Sequence, residues 1–569
     1  MSWKPLAVSA FLLLLLLVQT AAPAAVHAQG QTRTPIKHVF IIFKENRSFD
    51  NLFGVYPYGH DRVLENNSIV KELSIPDGVL GRKVSVPNYP GIPFLGSTPL
   101  TYANSPVQQN PGEGWVDYHG DWDYGRMDGF VAYSGSQAMV YLDYIQIPFY
   151  WDYAEEYVLC DNYFTAIMSE SQPNWFAFWS GTTVVSNNLS PPPYLPLNHT
   201  IFYQLTQYNI SWAVVGLFSQ PVGAGGSEIG YLDYISGFNS PQYLQHVINF
   251  SVFYQMLRNG SVPSFVFIDD YGLASGVSDH PPDNITYSEM WTVNVVNAIE
   301  TSKVWNSSAI FITWDDEGGF YDHVPPPEVN SLGLGLRTAC LIISPYAKED
   351  YIDHQVLSHY SLLKFVEWNW NLPYISRAVA DANLPLDAFN FDQPPRPPIV
   401  LGPTPDIEGT IGAPYGYIVF ENGSIYRLSA VQTSQQYPIP LQIPISQLSY
   451  SVPQNYSGNI GFTPVYTYSV PPPWTNMAEF FTVLIGLILF VSGFYTRASY
   501  RGKLLLLVSI FVSIVPVVLS TVYPPVPPAP VPPSESAISI FGMLGGVFAV
   551  LAILILASPY LSRRRRPVS

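Results

Sequence analysis

The chain has 569 residues, room for a large core plus further segments, and carries 25 Lys and Arg against 42 Asp and Glu, a net charge of −17. That acidic balance argues against nucleic acid as a partner, because a phosphate backbone needs a basic footprint. Charged residues make up 12% of the chain and aromatics 15%, and the 39 tyrosines outnumber Lys and Arg together, so much of the polar surface is carried on aromatic rings.

Residues 1–29 read as a secretory signal. Lys4 supplies a basic start, 11–18 is a solid apolar run, and Ala21, Ala22, Ala24, Ala25 and Ala28 follow. Residues 35–373 then alternate two patterns. Val/Ile-rich runs at 36–43, 264–268, 309–314 and 339–344 predict strands, and 290–302 and 358–370 predict helices. Strands separated by helices imply an α/β layer fold with a largely parallel sheet, whose ligands sit beyond the carboxyl ends of the strands. Residues 374–410, rich in Pro, Asp and Asn, read as an extended linker. Residues 411–475 show short Tyr/Ile/Val runs between Gly, Asn and Pro turns, a small β-rich module or stalk without a catalytic cluster.

Three apolar segments follow at 477–496, 504–522 and 538–560, each near the length that spans a bilayer. Arg497, Arg501 and Lys503 lie between the first two, no Lys or Arg lies between the last two, and Arg563 to Arg566 open the tail at 561–569. Loop charge therefore predicts three crossings, a cytoplasmic tail, and a catalytic domain outside the cell membrane, tethered by C-terminal helices. A hairpin that leaves a single anchor is the alternative. Sequons at Asn188, Asn198, Asn209, Asn249, Asn259, Asn284, Asn306, Asn422 and Asn455 permit glycosylation of an exported chain. The two cysteines, Cys160 and Cys340, form one disulfide or remain two buried thiols.

Three polar clusters each follow an apolar run. Lys44-Glu45-Asn46-Arg47-Ser48-Phe49-Asp50 offers a carboxylate and an amide oxygen to a hard cation, or simply caps a helix. Met168 to Asn174 either presents a serine at a helix start, where N–H groups favour an oxyanion, or is a Ser-rich turn. Thr313 to His323 holds Asp315-Asp316-Glu317, then Gly318-Gly319, then Asp322-His323. Three adjacent carboxylates leaving an apolar strand repel one another, and a bound cation is the simplest compensation. Taken alone, His119 and His280 fit hydrogen-bonded structural histidines.

In this order the clusters resemble the phosphoesterase family that contains bacterial phospholipases C and related acid phosphatases. The resemblance runs through His38-Val39 to Asp50, Phe53-Gly54, Met127 to Phe130, Ser171-Gln172-Pro173-Asn174, Asp315 to Pro327, Gly335 with Arg337, Ser344 to Ala347, and His359 to Trp368. It implies an alkaline-phosphatase-like α/β/α sandwich. It implies that Glu45, Asn46, Asp315 and Asp316 hold a divalent metal ion, and that Ser171 is both nucleophile and metal ligand. It implies that His119 and His280 contact the phosphoryl oxygens, with His323 a further catalytic residue and His359 a further substrate-binding one. Serine stands where the family often has threonine, which makes Ser169 a rival to Ser171. Asp316 stands where glutamate is common, which leaves Glu317 as a substitute ligand. The expected activity is hydrolysis of a phosphate-ester substrate, acid-phosphatase-like, through a phosphoserine. Phospholipase C action on lipid headgroups and a non-catalytic surface glycoprotein are the competing readings.

Overall fold

The computed structural model describes residues 31–57, 73–76, 84–144, 146–188, 194–216, 229–270, 278–327, 334–401, 417–419, 425–427, 474–496, 499–522, 550, 551 and 553. The expected signal at 1–29, most of the 411–475 module, most of the third apolar segment and the basic tail lie outside the described residues. Of the module, only the antiparallel pair Tyr417–Val419 and Ile425–Arg427 is described.

Nine strands form the main sheet: β1 His38–Lys44, β2 Val158–Phe164, β3 Trp212–Gly216, β4 Val247–Asn249, β5 Phe265–Asp269, β6 Ser308–Trp314, β7 Arg337–Ile343, β8 Tyr351–Asp353 and β9 Leu357–Ser358. Their order is β4-β3-β5-β1-β6-β7-β2-β8, with β9 also on β2. Every neighbour pair is parallel except the two made by β7. The expected largely parallel sheet is therefore present, and the four predicted strands appear as β1, β5, β6 and β7.

The pleat of β1 explains the layers. Phe43 packs on Trp175 and Phe178 of helix α1, Ser171–Ser180, and on His359 at the start of helix α3, His359–Asn369. On the opposite face, Phe40 meets Phe253, and Lys44 Nζ reaches Ser288 of helix α2, Ile285–Glu300. Side chains alternate along a strand, so these contacts place helices on both faces, an α/β/α arrangement. Val39 to Phe43 are fully buried, and each such side chain contributes about 1.5–3 kcal/mol.

Strand β2 escaped the sequence reading because Asp161 and Asn162 interrupt its apolar run like a turn. Each is tied in part to His354, whose Nδ1 lies 2.8 Å from Asp161 Oδ2 and whose carbonyl accepts from Asn162 Nδ2 at 3.1 Å. Cys160 and Cys340 are register partners on β2 and β7, and both are free, buried thiols.

The extended linker expected from residue 374 requires correction. Residues 374–401 strap onto the domain: Val379 and Ala388 are fully buried, and Phe389 stacks on Phe365 at 5.7 Å. Arg396 Nη1 and Nη2 both donate to the Glu156 carbonyl at 3.1 Å. Pro, Asp and Asn dominate the composition, but a few well-spaced apolar residues anchor the segment.

Helices Trp474–Tyr495 and Tyr500–Val522 lie on the first two apolar segments. They pack as a hairpin in which Gly486 faces Ser513 and Gly493 faces Leu506. Among the described residues, no helix is long and apolar enough to cross a membrane, so the expected crossings find no support in the structure.

Buried acids away from the strand ends set a pH dependence. Glu300 is pushed up to about 8 by burial, with the Tyr157 hydroxyl donating to it at 2.5 Å and Arg396 nearby. Glu367 is likewise pushed up to about 8 by burial, while accepting from the Ile375 amide at 2.9 Å. The native state keeps protons that the unfolded chain releases above pH 4.5, so this stability is lost as pH rises toward 8. His119 and His359 act oppositely. Burial pushes them down to about 3 and about 4, so their contribution is lost as pH falls below 6.5. The unfolding temperature is expected to peak in mildly acidic solution. Glu300→Gln should flatten the alkaline limb, by up to about 1.4 kcal/mol per pH unit. A wild-type unfolding temperature that climbs from pH 6 to pH 8 would contradict this.

Candidate active site

The site is built where β1 and β6 end side by side. Lys44 and Trp314 are register partners, so the residues that follow, Glu45-Asn46 and Asp315-Asp316, leave the sheet together. Cross-links then hold the two turns: the Asp315 amide donates to the Lys44 carbonyl at 2.9 Å, and the Arg47 amide to the Asp316 carbonyl at 3.0 Å. Asn46 Nα–H donates to Asp315 Oδ1 at 3.1 Å.

The turns need special backbone. Asn46, Gly318 and Gly319 have φ of +57°, +64° and +68°. Asn tolerates this region through its short polar side chain. Gly318 also needs the space, since a Cβ there would sit 2.5 Å from the Asn46 carbonyl oxygen. Its amide donates to Asp316 Oδ1 at 2.8 Å. Gly318→Ala is expected to cost roughly 2 kcal/mol or more through strain and overlap, and to displace Asp316. An unchanged unfolding temperature would contradict this.

Ser171 is the first residue of the ten-residue helix α1. Asn174 fixes the turn before it: Nδ2 donates to the carbonyls of Ile167 at 3.1 Å and Ser169 at 2.7 Å, while Oδ1 accepts from the Ile167 amide at 2.9 Å. Ser171 Oγ then lies 3.3 Å from Glu45 Oε2 and 3.4 Å from Asp316 Oδ2. One turn further along α1, Trp175 Nε1 donates to Asp315 Oδ2 at 3.0 Å. The rival Ser169 is occupied elsewhere, donating to the Ser186 carbonyl at 2.7 Å.

Burial crowds negative charge here. Asp315 is pushed up to about 6, by burial foremost. Burial, then neighbouring carboxylates, pushes Glu45, Asp316 and Glu317 well above the usual carboxylate range. Lys44 offers no relief, since it pairs with Asp270 at 2.9 Å and with Asp279 at 3.6 Å. Asn46 Oδ1 and both carboxylate oxygens of Glu317 are buried without a hydrogen-bond partner. Clustered hard oxygens with uncompensated charge and orphaned acceptors fit a divalent cation. The residues that could hold it are Glu45, Asn46, Ser171, Asp315 and Asp316, with Glu317 beside them.

A second acidic group, Asp50, Asp322 and His323, also has metal-ligand spacing. Arg337 sits among it, with Nη2 3.0 Å from Asp50 Oδ1 and Nε 3.0 Å from Asp322 Oδ1. A guanidinium already supplies the counter-charge, so the group at Glu45 and Asp315 fits a cation better.

The histidines divide. His119, on the helix Trp115–Trp122, stacks on Trp115 and donates from Nδ1 to the Trp115 carbonyl at 2.8 Å. Burial keeps it neutral, down to about 3, so Nε2 carries a lone pair. Its neighbour Tyr118 donates to Asp316 Oδ1 at 2.9 Å, which places this helix at the site. His280 Nε2 lies 3.7 Å from Glu113, which in turn bonds Asn46. The other two do not stand where expected. His323 Nδ1 is held by Asp50 Oδ2 at 2.7 Å. His359 has both nitrogens occupied: Nε2 donates to the Asp315 carbonyl at 2.9 Å and Nδ1 accepts from the Tyr163 hydroxyl at 2.9 Å. It braces the Asp315 turn, with no nitrogen left for substrate.

Residues missed in the sequence include Tyr118, Glu113 and Asp269-Asp270. The last pair carried a signal, since it ends β5 as Asp315-Asp316 ends β6. Glu113 and Tyr118 carried none, because only folding brings their loop and helix onto the strand ends.

The chain is 29% identical over 446 residues to the non-hemolytic phospholipase C of Burkholderia pseudomallei, covering 65% of this chain and 61% of that one. It is 23% identical to phospholipase C B of Mycobacterium tuberculosis, covering 64% and 79%. The chain thus spans about three-fifths of the Burkholderia relative's length. A solved protein of the alkaline phosphatase superfamily from Vibrio parahaemolyticus matches at a TM-score of 0.27 and 9% identity, covering 58% of this chain and 87% of that one. Residues 36–373, more than half of the chain and all of the strand ends described above, match the model of the phosphoesterase family, to which this protein belongs.

Proposed function

We propose that the protein hydrolyses phosphoric esters through a covalent phosphoserine on Ser171. The observation that carries this reading is the Ser171 hydroxyl at a helix start, 3.3 and 3.4 Å from two buried carboxylates, Glu45 and Asp316, which belong to the set that would hold a divalent cation. When bound, that cation supplies the charge that lowers the hydroxyl pKa and neutralises phosphoryl oxygens. Glu45, Asn46, Asp315 and Asp316 are its proposed ligands. Ser171 Oγ attacks phosphorus, the Oγ–P bond forms, and the ester P–O bond breaks, its electron pair leaving with the alcohol oxygen, which takes up the equivalent of the proton that Ser171 releases. The helix start favours negative charge on Oγ. Water then cleaves Oγ–P, its oxygen joining phosphorus and a proton returning to Ser171 Oγ as phosphate leaves, and His119 is a proposed contact to the phosphoryl group. His280, beside Glu113, is the proposed contact to a phosphoryl oxygen.

A soluble phosphomonoester is the favoured substrate class, since an acidic chain is not drawn to anionic lipid. The names of the two phospholipase C relatives favour a second reading, release of a lipid headgroup. The test compares phosphate release from a chromogenic monoester with headgroup release from phosphatidylcholine vesicles. Chelation should abolish activity, and added divalent cation should restore it. Faster headgroup release would install the second reading, and no turnover with no bound metal would leave a surface glycoprotein. Residence outside the cell, on a C-terminal tether, is part of the proposal and rests on loop charge and the leader pattern. Protease added to intact cells should remove the domain, and full protection would overturn this placement.

A further inference from the structure

The loop carrying Glu113 is held from several sides. The Gly112 amide donates to the Ser134 carbonyl at 2.8 Å, and Ser134 Oγ returns a bond to the Gly112 carbonyl at 2.8 Å. The Trp115 amide donates to Asn187 Oδ1 at 2.9 Å. Gly319 of the acidic turn packs directly on this loop, where a Cβ would overlap the Gly112 carbonyl. On this frame Glu113 Oε2 accepts from Asn46 Nδ2, while Oε1 accepts from Asn110 Nδ2 at 2.9 Å and faces His280 Nε2 at 3.7 Å.

An asparagine amide has a donor end and an acceptor end, and its neighbours decide which way each points. With Nδ2 taken by Glu113, the acceptor Oδ1 is turned the other way, and that oxygen is buried without a partner. Reversed, the amide would turn its NH2 group toward the cation.

We infer that Glu113 is a positioning residue that orients Asn46 so that its carbonyl oxygen serves as a metal ligand. This rests on the metal site of the proposed function. Partners that orient ligands of a metal typically change its affinity 10–100-fold.

The experiment titrates Mn2+ alone into the chelated full-length protein by calorimetry, so the readout is independent of turnover. Glu113→Leu is expected to weaken Mn2+ binding about 10–100-fold. Glu113→Gln keeps an acceptor oxygen for Asn46 Nδ2 and should stay within about threefold. In an Asn46→Asp background both side-chain oxygens are acceptors, so orientation no longer matters and Glu113→Leu should cost no further affinity. Wild-type affinity in Glu113→Leu overturns the assignment. So does a loss in Glu113→Gln equal to that in the leucine variant, or a full loss in the Asn46→Asp background. Glu113→Ala replaces the leucine variant if that protein does not fold. A wild-type protein that binds no Mn2+ removes the catalytic reading itself, a different failure from Mn2+ binding that ignores residue 113.

Discussion

Ser171→Ala is expected to lower kcat for a phosphomonoester by at least about a thousandfold, because the hydroxyl proposed to form the covalent intermediate, 3.3 Å from Glu45 and 3.4 Å from Asp316, is removed. Ser169 is the natural rival, two residues earlier, but its hydroxyl donates to the Ser186 carbonyl at 2.7 Å and lies 3.3 Å from Asn187 Oδ1. Ser169→Ala should therefore cost little in turnover, and the pair of variants separates the two serines. Bound metal should survive in Ser171→Ala, since the carboxylates of Glu45, Asp315 and Asp316 remain. Steady-state kinetics and elemental analysis on the same preparations check both halves. Activity within tenfold of wild type in Ser171→Ala would remove the serine from the chemistry.

Arg337→Met is expected to destabilise the domain by about 3–5 kcal/mol, the largest stability effect foreseen. Arg337 is fully buried, as are both carboxylates it serves. Its Nη2 donates to Asp50 at 3.0 Å, its Nε to Asp322 at 3.0 Å, its Nη1 to the Asp161 carbonyl at 2.9 Å, and its plane lies 4.3 Å over Phe49. Burial alone would raise Asp50, yet His323 and Arg337 hold it below the usual carboxylate range. Methionine fills similar space but takes the guanidinium from both carboxylates, leaving Asp50 bonded to His323 and Asp322 without the cation 3.0 Å away. Thermal unfolding should fall by roughly 6–15 °C. A change under about 2 °C would mean that the network contributes little, as some buried ion pairs do.

This network also revises a residue role. His323 sits in the motif that carries Asp315 and Asp316, which made it a plausible catalytic partner. In the fold its ring is bonded to Asp50, next to Arg337 at 3.5 Å. His359 differs from His323, whose Nδ1 alone is engaged by these bonds, since both of its ring nitrogens serve the fold, at Asp315 and Tyr163. Residue type and spacing mark a histidine as present near a site. Its hydrogen bonds decide whether a nitrogen remains for substrate.

From the sequence alone, the strands β1, β5, β6 and β7 and the polar clusters at two of their ends were legible, because an apolar run and the polar residues that follow it are local signals. So was Asp315-Asp316-Glu317 as a candidate cation site, since adjacent carboxylates after a buried strand need compensation whatever the fold. The spacing to Pro173-Asn174 already favoured Ser171 over Ser169; only the tertiary structure set Ser171 against Glu45 and Asp316 and turned the stretch at 374–401 from linker into strap. Those outcomes depend on register between strands far apart in the chain, such as Lys44 with Trp314, and on which polar partners burial leaves within reach. A cation site at the strand ends, with Glu45, Asn46, Asp315 and Asp316 as its implied ligands, was thus expected from residue type and order, whereas the placement of Glu113 against Asn46 and of His359 between Asp315 and Tyr163 is a property of packing.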